Sequence, residues 1–168
     1  MGFFSRDIGS MDDLFVHTLR DIYYAEKQIA DALPDMIAKA TNPELKQALD
    51  HHLGETRNHI ERVETVFEMH GVKAKQVDCP AIDGILKESR EIAGEVDDKQ
   101  VMDAALIAAA QAVEHYETTR YGSLIAWAKQ LGRNDCASVL AQTLAEEKAA
   151  DETLTRLAES KINLQATS

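Results

Sequence analysis

Four long segments of the chain repeat apolar residues at steps of three and four, which is the spacing of one face of an α-helix. The pattern covers about 11–39, 43–70, 97–130 and 134–162. Only three prolines and eight glycines occur in the 168 residues, and most of them fall between these segments. The pattern therefore predicts an all-α fold in which long helices bury their apolar faces against one another.

Local signals mark where these helices begin and end. Side-chain caps are predicted at three helix starts, by Ser10 with Asp13, by Asn42 with Pro43, and by Asn134. A glycine in the left-handed conformation commonly follows the last residue of a helix, and two positions fit this role: Gly71 and Gly132.

The connections between the segments predict the topology. The first and third connections are short, so each joins two helices into an antiparallel hairpin. The second connection, 72–97, is long and contains Asp78-Cys79-Pro80 followed by a short periodic piece at 82–92. A short, a long and a short connection indicate a ferritin-like antiparallel four-helix bundle whose crossover carries a short helix. We expect residues 1–168 to form a single ferritin-like domain, with a core over about 11–162.

Charge and composition exclude several classes of function. The net charge of −11 argues against nucleic acid or an anionic membrane surface as the main partner. No segment approaches the roughly 18 apolar residues of a transmembrane helix, and residues 1–13 lack the apolar run of a secretory signal. We therefore expect a cytoplasmic protein. Cys79 and Cys136 follow no CxxC or zinc spacing, and we expect both to be free thiols.

Acidic residues interrupt the apolar row of each long segment. In the first segment Glu26 stands between Ile22 and Ile29, and in the third Glu114 and Glu117 follow Ala110 at helical spacing. A buried carboxylate without a partner costs several kcal/mol, so several on inward faces need a physical reason.

The second and fourth segments each carry a pair of polar residues four positions apart. Glu55 and His59 lie beside the leucine row of the second segment, and Glu147 and Asp151 fill a gap in the row of the fourth. Residues four apart share a helix face, so each pair can act as one unit. Asn58 is the rival to His59 as the group that accompanies Glu55.

Six carboxylates and one imidazole then converge on the bundle centre, where like charges must take up protons or bind cations. Carboxylate and imidazole ligands suit iron or manganese, and two ions per chain would neutralise most of the charge. We predict seven metal ligands, with Glu55 and Glu147 as the bridging pair: Glu26, Glu55, His59, Glu114, Glu117, Glu147 and Asp151.

Other polar residues near these positions receive simpler interpretations. His52 is a candidate supporting residue, whereas Glu146 is expected to be solvated and His115 to lie on the surface. Tyr121, one turn beyond Glu117, is the tyrosine to test for a role in the chemistry, although packing with one satisfied hydroxyl is its simpler interpretation.

Five stretches resemble a known family: 21-DIYYAEKQI-29, 52-HLGET-56, 78-DCPAIDGILKE-88, 103-DAALIAAAQAVEHYE-117 and 143-TLAEEKAAD-151. They are similar to the YciF/YciE-like stress proteins of the ferritin-like superfamily. The resemblance covers nearly the whole chain. It implies a four-helix domain, usually dimeric, with a dinuclear metal site and no settled biochemical activity.

The chain departs from the superfamily pattern of paired Glu-x-x-His motifs. Its pairs are spaced i, i+4, and Asp151 stands where histidine is expected. The extra Glu117 is similar to rubrerythrin. Fewer imidazoles make the predicted site harder and more anionic.

Two hypotheses follow. The first is a metal-binding stress-response protein, a homodimer that could act as a di-iron or di-manganese oxidoreductase on a small oxidant, O₂ or peroxide. The second is a non-catalytic dimeric structural or interaction protein whose carboxylates are vestigial or hold a structural ion.

Overall fold

The computed structural model describes residues 8–168. Residues 1–7, part of the stretch compared with secretory signals, lie outside that range. The described chain forms six α-helices and one π-helical turn: α1 (Met11–Lys39), α2 (Pro43–His70), α3 (Pro80–Glu95), α4 (Lys99–Gln130), α5 (Asn134–Leu157), the π-helical turn Ala158–Ile162, and α6 (Asn163–Ala166).

The four long helices, α1, α2, α4 and α5, form the ferritin-like bundle, which confirms the predicted fold class. Within it α1 packs on α2, α4 on α5, α2 on α5, and α1 on α4. The crossover between α2 and α4 carries α3, which packs on the outside of the bundle against α1 and α4. All these helices contribute to one buried apolar cluster.

Most of the predicted helix ends are confirmed. The Ser10 hydroxyl accepts a hydrogen bond from the Asp13 N–H at 3.0 Å, and Asn42 Oδ1 accepts from the first turn of α2. Gly71 and Gly132 have φ angles of 74° and 73°, in the left-handed region that favours glycine.

The predicted cap of α5 is wrong. Asn134 is the first residue of the helix, and Arg133 occupies the cap position without a side-chain cap bond. The reason is the tight turn after α4, in which the Arg133 N–H donates to the Ala128 carbonyl at 2.8 Å. Arg133 thus belongs to the turn that ends α4 and also occupies the cap position of α5, and its side chain has no acceptor that could cap the helix.

A buried carboxylate attaches the α1–α2 turn to α4. Asp103 accepts hydrogen bonds from the Thr41 N–H at 2.7 Å, the Thr41 hydroxyl at 2.6 Å and the Asn42 N–H at 2.9 Å. Its side chain thereby satisfies the backbone N–H groups of two turn residues, Thr41 and Asn42, which lie between the two helices. No sequence signal distinguished Asp103 from the solvated acids.

Both cysteines are free, as predicted, and both are buried. Among the described residues, no helix combines the length and the apolar content that crossing a bilayer requires.

Candidate metal centre

Six buried polar side chains meet at the middle of the bundle, contributed by all four long helices. Each is at most 6% exposed: Glu26 on α1, His52 and His59 on α2, Glu114 and Glu117 on α4, and Glu147 on α5.

The two histidines belong to the core row of α2. The buried residues of this helix follow alternating steps of four and three, and His52, Thr56 and His59 continue the row that Leu45 and Leu49 begin. Polar side chains therefore occupy positions at which the first two turns of the helix present leucine.

One group of donor atoms consists of Glu26, His59 and Glu147. The Nδ1 atom of His59 lies 2.8 Å from Glu147 Oε1 and 3.6 Å from Glu26 Oε1. All three side chains are fully buried.

The second group consists of His52, Glu114, Glu117 and Glu147. The Nε2 atom of His52 lies 2.9 Å from Glu114 Oε1 and 3.7 Å from Glu147 Oε2. Within each group, the candidate ligand atoms lie within 4.8 Å of one another. Glu147 belongs to both groups and directs one oxygen towards each histidine.

Eight of the nitrogen and oxygen atoms in this cluster are buried without a hydrogen-bond partner: Glu26 Oε2, His52 Nε2, His59 Nδ1, Glu114 Oε2, both Glu117 oxygens and both Glu147 oxygens. The short nitrogen–oxygen distances above therefore lack hydrogen-bond geometry. Each such atom costs about 1–3 kcal/mol when it stays unsatisfied. Neighbouring ligand atoms at about 2.1 Å from one metal ion are about 3 Å apart, which fits the observed spacing.

The sequence matches one protein family along nearly its whole length. Residues 10–167 fit the family described as Domain of unknown function (DUF892). The chain belongs to the DUF892 family. It is 44% identical to Protein YciF of Escherichia coli strain K12 over 158 residues, which are 94% of this chain and 95% of that protein.

Solved structures agree with the assignment to DUF892. The crystal structure of the E. coli stress protein YciF has a TM-score of 0.89 at 43% identity and covers 93% of this chain and 99% of its own. The YcfI protein of Rhodopseudomonas palustris, described as a candidate structural protein, has a TM-score of 0.89 at 58% identity, covering 91% and 98%. The resemblance to YciF-like proteins is confirmed.

In the absence of bound cations, the negative charge of these buried carboxylates would have to be balanced by protonation. Burial raises the pKa of Glu26, and burial together with the neighbouring Glu147, Glu26 and Glu114 carboxylates raises the pKa of Glu117 well above its usual value. Burial also raises the pKa of Glu147, to about 7. A cation would relieve the same repulsion without protonating the carboxylates.

The histidines respond to the same carboxylates in the opposite sense. Burial alone would lower the pKa of His59, but its contacts with Glu147 and Glu26 outweigh burial and raise it to about 10. The pKa of His52 is likewise raised well above its usual value, because Glu114 and Glu55 outweigh the effect of burial. Both imidazoles are therefore surrounded by negative charge.

A surface ion pair fixes the orientation of His59. Its Nε2 atom lies 2.7 Å from Glu146 Oε2, and the two Arg62 terminal nitrogens donate to both Glu146 oxygens at 2.7 and 2.8 Å. The Arg62 hydrogen bonds lower the pKa of Glu146 to about 2. The expectation that Glu146 is simply solvated is wrong, because it holds the imidazole with Nδ1 towards Glu26 and Glu147.

Tyr121 also supports the cluster. It is fully buried on α4, and its hydroxyl donates to Glu26 Oε1 at 2.5 Å. The other oxygen of Glu26, Oε2, has no hydrogen-bond partner.

Five of the seven predicted ligands lie in the cluster: Glu26, His59, Glu114, Glu117 and Glu147. Asp151 does not. It is about a quarter exposed, accepts a hydrogen bond from Gln111 Nε2 at 3.1 Å and pairs with the exposed His115 at 3.0 Å. The buried row of α5 runs through Leu140, Thr143 and Glu147 to Leu154, so it leaves Asp151 at its edge.

Glu55 is the second predicted ligand outside the cluster. Its half-buried side chain lies between His51 and His52 on α2, at 3.2 and 3.4 Å. His52, expected only in a supporting role, takes the place in the cluster that the sequence assigned to Glu55. Asn58, the rival to His59, is exposed.

Proposed function

We propose that this chain is a YciF-like metal-binding protein whose bundle centre holds two divalent ions, iron or manganese. The proposal rests on eight buried nitrogen and oxygen atoms that have no hydrogen-bond partner. These atoms lie in two groups of candidate metal ligands that share Glu147. Native proteins rarely leave even single buried polar atoms unsatisfied, so such a cluster favours a bound cation.

The charge balance supports two ions rather than one. Four carboxylates enter the cluster, from Glu26, Glu114, Glu117 and Glu147, and two divalent ions bring an equal and opposite charge. Both imidazoles can then be neutral, which is the form that binds a metal. Carboxylate oxygens with one imidazole nitrogen per ion favour iron or manganese over the thiolate-loving metals.

In this proposal each protein residue has a defined part. Glu26 and His59 would hold the first ion, and His52, Glu114 and Glu117 the second. Glu147 would bridge them. Glu146 and Arg62 would orient His59. The Tyr121 hydroxyl would donate its hydrogen bond to the ligand Glu26. When bound, iron or manganese would supply redox chemistry towards O₂ or peroxide.

The E. coli relative is called a stress protein. A centre that takes up redox metal and reacts with a small oxidant suits such a role, and we extend it to this chain as part of the proposal. We also propose a homodimer, for which the exposed Ile92 on α3 and Val101 on α4 offer apolar surface.

Metal analysis of the loaded protein tests the proposal. The purified chain is stripped with a chelator, loaded anaerobically with Fe²⁺ or with Mn²⁺, desalted and analysed for metal and protein. We expect about two ions per chain, from the two donor groups. A content well below one ion per chain with both metals would contradict the proposal.

A non-catalytic structural role remains the alternative, and the raised pKa values of Glu26 and Glu117 favour it, because protons could neutralise the cluster. Glu117→Gln separates the two functions, since glutamine has nearly the shape of a protonated glutamate. In a protonated cluster the variant keeps its thermal stability. In a metal centre it loses much of the rise in melting temperature that Mn²⁺ gives the wild-type protein.

A further inference from the structure

A cavity of about 110 Å³ opens between α2, α4 and α5 and reaches the candidate metal centre. Its inner end is formed by His52 and Glu114, and its outer part by His51 and Glu55. Small side chains such as Ala110 and Ala149 line the space between them.

Imidazole and carboxylate groups alternate along this cavity. His51 Nε2 lies 3.2 Å from Glu55 Oε1, Glu55 Oε2 lies 3.4 Å from His52 Nδ1, and His52 Nε2 lies 2.9 Å from Glu114 Oε1. The exposed fraction of the side chain falls along the series, from 75% to 20%, 7% and 2%. The series therefore leads from solvent to the buried ligand atoms. Each nitrogen–oxygen distance along it is similar to the distance between neighbouring ligand atoms on one metal ion.

The inner end of the series has atoms available for a ligand. His52 is more than nine-tenths buried, and neither its Nε2 atom nor Glu114 Oε2 has a hydrogen-bond partner. At the outer end stands the Glu55 carboxylate, whose side chain is 20% exposed and whose two oxygens face His51 and His52. A negative group at the mouth of an apolar cleft raises the local concentration of cations.

We propose that this cavity is the loading route for divalent cations, with Glu55 and His51 as a transit site outside the metal centre. The inference rests on the proposed function, because it needs a centre that takes up metal. It gives Glu55 a kinetic role instead of the bridging role that its sequence position suggested.

The opposite side of the centre is a poor route for a cation. The cavity there has a volume of only about 10 Å³, and before it reaches His52 and Glu114 it is lined by apolar side chains such as Ile29, Leu33 and Met36. A cation passing these groups would lose its hydration without gaining a ligand.

The test follows Co²⁺ binding to the full chain by its visible absorption in a stopped-flow instrument, with release measured by adding excess chelator. Glu55→Gln and His51→Ala are compared with Glu152→Gln, an exposed change on α5. For Glu55→Gln we expect uptake and release both to slow by about tenfold, at the low end of the range for charge focusing in clefts. The Co²⁺ content at saturation should stay at the wild-type value, because Glu55 lies on the path and is not one of the ligands of the centre.

A second pair of variants tests the passage itself. Ala149→Leu narrows the cavity and should slow uptake and release, whereas Ala108→Leu, on an exposed part of α4 facing the groove with α3, should not.

The outcomes separate the route from the metal centre. Wild-type protein that takes up no Co²⁺ would overturn the proposed function and the route together. Normal wild-type uptake with unchanged rates in Glu55→Gln and Ala149→Leu would overturn the route alone. A loss of bound Co²⁺ in Glu55→Gln would also overturn the transit role, because Glu55 would then be a ligand of the centre.

Discussion

The Nδ1 atom of His59 lies 2.8 Å from Oε1 of Glu147, and both side chains are completely buried. The other oxygen of Glu147 faces His52 at 3.7 Å. One carboxylate on α5 thus stands between the two imidazoles of α2, and this position makes it the shared member of the two donor groups.

Because Glu147 belongs to both donor groups, we expect substitutions of different glutamates to remove different numbers of metal ions. Glu147→Gln should abolish binding of both ions, whereas Glu114→Gln should leave about one ion per chain, since its group alone is affected. Metal analysis after Mn²⁺ loading measures both.

Asp151→Asn is the matched control on α5, because Asp151 pairs with His115 outside the cluster. It should retain the wild-type metal content. Loss of metal in this control would restore the ligand role that the sequence suggested for Asp151, and equal losses in Glu147→Gln and Glu114→Gln would argue against sharing.

Glu146 should tune the centre without belonging to it. Glu146→Gln weakens the hold on His59 Nε2, so Mn²⁺ affinity should fall by about 10–100-fold, as for other groups that orient a metal ligand. The metal content at saturation should remain at the wild-type value. Competition titration with a chelator measures the affinity, with Glu152→Gln as the exposed control on the same helix, and an unchanged affinity would mean that His59 needs no orienting carboxylate.

The helix ends could be predicted because their determinants are local. The Ser10 and Asn42 caps and the left-handed Gly71 act within a few residues of themselves, and the bounds of α1 and α2 follow from them. The α5 cap failed because the backbone bond from Arg133 to Ala128 belongs to the preceding turn, which the identity of Asn134 does not reveal.

The site was predicted less completely because the spacing of apolar residues does not reveal a buried helix face that includes polar residues. On α2 the buried face includes His52, Thr56 and His59. The apolar residues alone therefore indicate a face turned towards Leu53 and Ile60. That error places Glu55 too near the bundle centre. On α5 the buried Thr143 has the same effect, and the row moves one residue towards Leu144 and Asp151. Alternating steps of four and three from Leu45 and Leu49 would have found both histidines.

Asp103 shows another limit of the sequence, because its partners lie on the turn between α1 and α2. Asp103→Ala removes an acceptor of three hydrogen bonds and should lower the free energy of unfolding by about 3 kcal/mol. Chemical denaturation measures the loss. Asp50→Ala, an exposed change on α2, should stay within about 0.5 kcal/mol of wild type, and a similarly small effect at Asp103 would show that the turn does not depend on it.

The two thiols should be unreactive in the folded protein. Cys79 and Cys136 are at most 1% exposed, and burial raises the pKa of both thiols, so at pH 8 each has less thiolate than an exposed cysteine. We expect an aromatic disulfide reagent to label neither thiol quickly in the native state and both in guanidinium chloride. Rapid labelling of the native protein would contradict the buried positions.

The position of bound metal is the sharpest test of a two-ion centre in this bundle. Crystals of the chain loaded with Mn²⁺, measured at the manganese absorption edge, give an anomalous difference map that locates the metal by element. We expect two peaks inside the bundle, one beside Glu26 and His59 and the other beside His52 and Glu114, with Glu147 between them. Peaks confined to the protein surface, with none at the bundle centre, would contradict this expectation.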